Sequence, residues 1–145
     1  MVETALAVEN LDEILKEVDF ISIGTNDLLH QICKFNRKCS PLERRSYLEP
    51  EFLKTLQYCI DKAVINNKRV SVCGEMASDI EAVAILIGMG VHEFSMNPVF
   101  SLNVSSFIRN ITFKEVQEIA RKAVMEKSIE SVKSMLSKWA EGFKT

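Results

Sequence analysis

At residues 20–28 the chain reads Phe20-Ile21-Ser22-Ile23-Gly24-Thr25-Asn26-Asp27-Leu28. Here a short apolar run stops at a glycine and a polar loop, which is typical of a buried strand. A second run of this kind spans residues 69–73 and ends at Gly74 and Glu75, and a third spans 91–95. The pattern therefore predicts three short strands, each followed by a polar loop.

Helical spacing of apolar residues occupies most of the chain between and after these strands. It predicts one or two helical turns at 28–35 and helices at 7–18, 50–66, 78–87, 99–110, 113–126 and 129–142. Residues 36–49 are polar and charged and are predicted to form an exposed loop. Alternating strands and helices indicate a parallel sheet with right-handed crossovers. Three or four strands cannot close a (β/α)8 barrel, which needs about 250 residues. The pattern thus leaves open a small open sheet or part of a barrel.

Composition limits the class of protein. The 145 residues carry a net charge of -2 with no clustered basic stretch, so a nucleic-acid partner is not expected. No apolar run reaches the roughly 18 residues of a membrane span, and the first residues lack the features of a signal peptide. The four cysteines form no metal-binding pattern, and reduced thiols in a cytoplasmic protein are expected.

Polar side chains follow each predicted strand. They are Asn26 and Asp27 after the first, Cys73 and Glu75 at the second, and Ser95 and Asn97 at the third. The carboxyl ends of parallel strands form one rim, where ligands bind. Glu3 is interpreted as the end of a preceding strand. Carboxylates with Asn and Arg on one rim suit an oxygen-liganded Mg²⁺ that holds a phosphorylated substrate.

Four segments resemble one enzyme family, in its order and at about its spacing. Residues 20–28 resemble the strand-loop signature of phosphoenolpyruvate-utilising enzymes, and residues 71–77 (Ser-Val-Cys-Gly-Glu-Met-Ala) resemble their cysteine motif. Residues 88–96 resemble the next element of the family, and residues 1–4 resemble its segment with a metal-binding glutamate. The cysteine motif is more similar to that of enzyme I of the sugar phosphotransferase system than to those of pyruvate phosphate dikinase and phosphoenolpyruvate synthase.

This resemblance implies an α/β fold in which residues 1–145 are the C-terminal part of a (β/α)8 TIM barrel, without the phosphohistidine domain. It implies a Mg²⁺-dependent phosphotransferase that moves the phosphoryl group of phosphoenolpyruvate to a histidine of that domain and releases pyruvate. From the histidine the group would pass to a phosphocarrier protein. The resembled enzymes form homodimers through this region. By itself the chain is expected to be inactive.

The resemblance also assigns roles to five residues. Glu3 and Asp27 would ligate Mg²⁺. Asn26 and Arg37 would hold the phosphate and carboxylate of phosphoenolpyruvate. Cys73 would protonate the enolate carbon after the phosphoryl group has left.

Other interpretations remain open. The chain could be a non-catalytic half-barrel for ligand binding or dimerisation, which Asn36 and Lys38 favour because the family usually has Asp and Gly beside the phosphate-binding Arg. A third interpretation is an aldolase-like barrel, against which the cysteine motif argues. At residue level, Asp27 could cap a helix, Cys73 could be a small buried residue, and Arg37 could be a solvated loop charge like Arg45. His30 and His92 are expected at the surface or in helix packing.

Overall fold

The structure is a computed structural model that describes residues 1–33 and 45–142. Its helices are α1 (Ala5–Glu9), α2 (Leu11–Glu17), α3 (Thr25–Cys33), α4 (Pro50–Ile65), α5 (Ile80–Met89), α6 (Pro98–Ile108), α7 (Phe113–Met125) and α8 (Ile129–Glu141). The strands are β1 (Phe20–Gly24), β2 (Arg69–Cys73) and β3 (Glu93–Ser95), and short 3₁₀ turns span Ser46–Leu48 and Glu75–Ser78. The predicted alternation of strands and helices is confirmed.

The strands form one parallel sheet in the order β1-β2-β3. Gly24 pairs with Cys73, which in turn pairs with Ser95, so the three strands end at the same level. On the other edge of β1, Val2 forms a parallel bridge with Ile23. The Val2 N–H donates to the Ser22 carbonyl at 2.7 Å, and the Gly24 N–H donates to the Val2 carbonyl at 3.0 Å. Residues 1–3 thus run beside β1, which places Glu3 in line with the other strand ends, as predicted.

The two faces of this sheet differ. Side chains alternate between the faces of a strand, and Ile21, Ile23, Val70 and Val72 are buried on the face that the helices cover. The intervening residues, such as Ser22 and Ser71, are only half-buried. In the part of the chain that the structure describes, the sheet is therefore packed on one side and open on the other.

Helix α4 supplies much of the core, with Phe52, Leu53, Leu56 and Ile60 fully buried. Helices α5 and α7 can pack closely because Gly88 has no side chain. A Cβ at this position would overlap the Val116 carbonyl. At residues 112–115 the predicted capping box of α7 is present.

Some local predictions were wrong. The helix predicted at 7–18 is two helices that meet at Asn10. Helix α5 continues through Gly88 to Met89, and Gly90, which has φ 109°, is its C-cap. Residues 46–48 are buried rather than exposed, whereas 34–44 lie outside the described residues. Cys33 is disulfide-bonded, so the expectation of four reduced thiols is wrong there. No helix in residues 1–33 and 45–142 is long and apolar enough to cross a membrane.

Candidate functional site

A cavity of about 430 Å³ opens where β1, β2 and β3 end. Asn26 borders it after β1, Cys73 and Glu75 border it at β2, and Ser95 and Asn97 border it at β3. Two of the five predicted site residues, Asn26 and Cys73, thus lie on one cavity. A larger groove of about 560 Å³ runs beside α7, but helix residues line it and no strand end does. We therefore place the candidate site at the strand ends.

The side chain of Asn26 is held by the loop that follows β2. Its Oδ1 accepts a hydrogen bond of 3.2 Å from the backbone N–H of Glu75. Since that N–H can only donate, the atom facing it must be the amide oxygen. On the far side of the cavity, Asn97 Oδ1 accepts from the N–H of Val99 at 3.0 Å. Both amide oxygens are engaged, and neither –NH₂ group donates a hydrogen bond within residues 1–33 and 45–142, so both can serve as donors for a ligand.

Gly74 lets the loops after β1 and β2 approach each other. It has φ 114°, and a Cβ there would lie 2.5 Å from Thr25 Oγ1 and 2.8 Å from Asn26 Oδ1. Thr25, which is 1% exposed, donates its hydroxyl to the carbonyl of Cys73 at 2.9 Å. This contact fixes the start of α3 against the end of β2.

Cys73 is a free, half-buried thiol at the end of β2. Its Sγ lies 3.6 Å from the carbonyl oxygen of Ile23, to which it donates, and 3.9 Å from Ser22 Oγ. The sulfur of Met1 is 3.7 Å away. A thiol is a weak hydrogen-bond donor and acceptor, so Cys73 is placed by its neighbours without being tightly held.

The two predicted metal ligands lie near the same ends of the sheet but not on the cavity wall. Glu3 is half-buried, and its Oε2 is 3.1 Å from the point where a Cβ on Gly24 would stand. Asp27 is exposed in the first turn of α3, next to Asn26. The structure gives Asp27 no capping hydrogen bond within residues 1–33 and 45–142, so a capping role is not supported. Arg37 lies outside the described residues.

The model of the PEP-utilising enzyme family, PEP-binding domain, matches residues 1–113. The chain belongs to this family.

The curated relatives that it matches include phosphoenolpyruvate-protein phosphotransferases of several bacteria. The Listeria monocytogenes protein is 36% identical over 143 residues, covering 96% of this chain and 24% of the relative. The Enterococcus faecalis protein is 38% identical over 130 residues, covering 87% and 22%, and the Buchnera aphidicola protein is 32% identical over 141 residues, covering 96% and 25%. The predicted resemblance is confirmed, and the chain spans about a quarter of the length of these relatives.

The residues of this family member fit Mg²⁺ in one respect, the chemistry of their donors. Mg²⁺ is usually bound by one or two carboxylates, with phosphate and water oxygens completing its shell. Glu3 and Asp27 could supply two carboxylates near the strand ends. The described residues contain no group of three or more His, Cys, Asp or Glu side chains that could hold a metal by themselves. The chain's own donors therefore suit a metal that shares its shell with a phosphorylated ligand.

One feature of this family member was missed from the sequence. Arg45 was expected to be a solvated charge, but it pairs with Asp79 and Glu81, and its side chain is 24% exposed. The available signal was the pair Asp79 and Glu81 at the start of the helix predicted at 78–87. One carboxylate is enough to cap a helix, so the second indicates a basic partner elsewhere in the chain. His30 and His92 are exposed, as expected.

Proposed function

We propose that this chain is the phosphoenolpyruvate-binding, C-terminal part of the (β/α)8 barrel of an enzyme I-type phosphoenolpyruvate-protein phosphotransferase. Residues 1–145 would form a partial barrel domain, and the phosphohistidine domain would lie elsewhere. The observation that carries the proposal is the cavity on which the donor face of Asn26 and the thiol of Cys73 meet. An enol phosphate substrate needs a hydrogen-bond donor for its phosphate or carboxylate oxygens and an acid that protonates carbon after the phosphoryl group has left.

The shape of the sheet supports a place in a barrel. Its open face carries polar or charged side chains at alternate positions, including Ser22, Ser71, Cys73 and Glu93. In a closed barrel that face would line the interior, and the helices would form the outer ring. The residues beside Val2 on one edge and β3 on the other are where further strands would pair.

The cavity suits an anion if a cation accompanies it. Asn26 and Asn97 present amide donors, but Glu75 adds a carboxylate to the same wall. A phosphate placed there needs positive charge to offset Glu75, because like charges at short range repel strongly. Arg37 would supply a planar donor fork for the phosphate or carboxylate.

Magnesium would supply the remaining positive charge, with Glu3 and Asp27 as its protein ligands. When bound, Mg²⁺ neutralises charge on the phosphate oxygens as the phosphoryl group moves. The contribution of the chain is to keep both carboxylates close to Asn26 and Gly24 at the ends of the strands.

In the reaction, the bond between phosphorus and the enol oxygen of phosphoenolpyruvate breaks, and a bond to a histidine nitrogen on the separate domain forms. The electrons of the broken bond remain on the enolate. Cys73 then donates its S–H proton to the methylene carbon, giving pyruvate, and the thiolate recovers a proton from water. The phosphohistidine passes its phosphoryl group to a phosphocarrier protein, and the enzyme works as a homodimer.

The test is calorimetric titration of phosphoenolpyruvate into the chain with and without Mg²⁺. We expect Mg²⁺-dependent binding that is lost in Asp27→Ala. The matched control is Asp19→Ala, because Asp19 is also exposed and lies just before β1, at the opposite end of the same strand. Equal loss in both variants would contradict the assignment of Asp27.

Exposed apolar side chains on α6 favour a second candidate function, a non-catalytic half-barrel for association. Val99 and Leu102 are 76% and 81% exposed, and large exposed apolar groups mark interaction surfaces when they cluster. This function predicts a dimer in sedimentation equilibrium that Leu102→Lys dissociates. It also predicts no Mg²⁺-dependent binding of phosphoenolpyruvate.

A further inference from the structure

Four side chains from two separate segments, residues 45–47 and 79–81, form a charged cluster beside the candidate site. Arg45 Nε lies 2.8 Å from Asp79 Oδ2, and its Nη2 lies 2.6 Å from Glu81 Oε2. Tyr47 Oη donates to Asp79 Oδ2 at 2.7 Å. The three charged side chains are only 20–24% exposed. Ion pairs screened from water to this extent are worth more than surface pairs.

The cluster joins the turn at Ser46–Leu48 to the loop that follows β2. Asp79 caps α5 by accepting from the N–H groups of Glu81 and Ala82 at 3.0 and 3.2 Å. The short loop between Cys73 and Asp79 includes Glu75, whose N–H holds Asn26. Both ends of this loop are therefore anchored, one in the sheet and the other by Asp79.

Arg45 also lies close to Asn26. The two residues, together with Glu75, line one small cavity of about 110 Å³. A shift of the loop after β2 would change the position of the Glu75 N–H, and the Asn26 amide would then be free to rotate. Small displacements of groups that orient a substrate are costly for binding and chemistry.

We infer that Arg45 is a positioning residue: by pairing with Asp79 and Glu81 it fixes the loop after β2, so that the Glu75 N–H holds Asn26 Oδ1 and the Asn26 –NH₂ group faces the ligand cavity. The inference rests on the proposed function for the identity of the ligand. The effect of Arg45 on the positions of Glu75 and Asn26 does not depend on which ligand binds.

The guanidinium group suits this role because its Nη2 donates to Glu81 Oε2 at 2.6 Å and to Asp79 Oδ1 at 3.4 Å. Its Nε lies 2.8 Å from Asp79 Oδ2 but makes no hydrogen bond within the described residues. A lysine ammonium is a single compact charge and cannot reproduce the planar fork. If Arg45 were neutral, Asp79 and Glu81 would remain as neighbouring, partly buried carboxylates that repel each other. The cap of α5 would survive, but the loop would lose its connection to Ser46–Leu48.

The first arm of the test measures amide hydrogen exchange by NMR in the full chain, with Arg45→Gln, Arg45→Lys and the wild type. We expect exchange at Glu75 to be roughly 10-fold faster in Arg45→Gln, while core amides such as Val70 are unchanged. Arg45→Lys should restore part of the protection. The matched control is Lys62→Gln, which breaks an ion pair to Asp12 (2.8 Å) that involves none of the cluster residues.

The second arm measures phosphoenolpyruvate binding with Mg²⁺ by calorimetry. Binding should weaken by roughly 10-fold in Arg45→Gln and remain unchanged in Lys62→Gln. If Arg45→Gln does not fold, Glu81→Gln tests the same cluster, because it leaves the helix cap by Asp79 in place.

The exchange and binding experiments distinguish failure of the proposed function from failure of the positioning role of Arg45. A wild type that binds no phosphoenolpyruvate refutes the proposed function, and Glu75 exchange still decides the positioning role. Unchanged exchange at Glu75, or equal acceleration of Glu75 and Val70, would show that Arg45 only stabilises the fold and would overturn the inference.

Discussion

Replacing Gly74 by alanine tests the contact on which the candidate site is built. Gly74 has φ 114° and ψ -176°, a backbone region that is essentially restricted to glycine. Holding a residue with a Cβ there costs about 1–3 kcal/mol. The new Cβ would also stand 2.5 Å from Thr25 Oγ1, so the hydroxyl must move away. Thr25 would then lose its 2.9 Å hydrogen bond to the Cys73 carbonyl.

The size of the effect follows from these two terms. Leaving a buried polar group unpaired costs about 1–3 kcal/mol, and Thr25 is 1% exposed. We therefore expect Gly74→Ala to lower the free energy of unfolding by about 2–6 kcal/mol. That is a large part of the roughly 5–15 kcal/mol of a typical domain.

Gly90→Ala is the matched control. Gly90 also has a positive φ, 109°, but the nearest atom to an added Cβ is Ile60 Cγ2 at 3.6 Å, an ordinary contact. Only the backbone cost of about 1–2 kcal/mol is expected there. Urea unfolding followed by circular dichroism gives both values, provided that the m-values agree.

A double-mutant cycle with Thr25→Ala isolates the contact. If Gly74→Ala already breaks the hydrogen bond, Thr25→Ala should cost less in the Gly74→Ala background than in the wild type. Equal costs for Gly74→Ala and Gly90→Ala, with strict additivity in the cycle, would refute the argument that Gly74 is required by the approach of the two loops.

Three further predictions concern other parts of the fold. Burial and the hydrogen bond to Asp79 raise the pKa of Tyr47, so absorbance titration should show this tyrosine still neutral well above pH ~10. The free energy of unfolding should fall as the pH rises above that value, because only the unfolded state then ionises readily. The variant Asp79→Asn should lower the pKa of Tyr47. Burial raises the pKa of Cys59 to about 12, so a thiol reagent at pH 8 should modify Cys59 only in urea, and modification in the native chain would contradict its burial. Gly88→Ala should lower the free energy of unfolding by about 3 kcal/mol because its methyl group overlaps the Val116 carbonyl. Urea unfolding measures this loss, and a gain in stability, which an exposed Gly→Ala change within a helix gives, would show that α5 and α7 can separate freely.

The sequence predicted the strands well where local signals agreed. The bounds of β2 match the prediction of 69–73 because alternating apolar residues lie between Asn67 and Gly74. The break between α1 and α2 was missed because the helical spacing of apolar residues continues across it. There the Asn10 side chain donates to the Leu6 carbonyl, and its backbone leaves the helical region at ψ 16°. This competition between side chain and helix does not appear in a hydrophobic pattern.

For the candidate site, parallel topology was enough to bring Asn26 and Cys73 to one cavity, because consecutive parallel strands end on the same side. The orientation of the Asn26 amide could not be predicted, since it depends on a hydrogen bond to Glu75, which lies 49 residues away in sequence. The pairing of Arg45 with Asp79 was hidden for the same reason, at a separation of 34 residues. Local patterns contain no information about such distant partners.

The contact between Met1 and Cys73 places an oxidisable thioether beside the thiol. The Met1 sulfur lies 3.7 Å from Cys73 Sγ, and Met1 is 72% exposed. Oxidation of Met1 to the sulfoxide would replace this apolar neighbour by a polar group. The rate at which Cys73 is alkylated would then report the oxidation state of Met1, and comparison of the protein before and after reduction of the sulfoxide would measure how strongly Met1 shields the thiol.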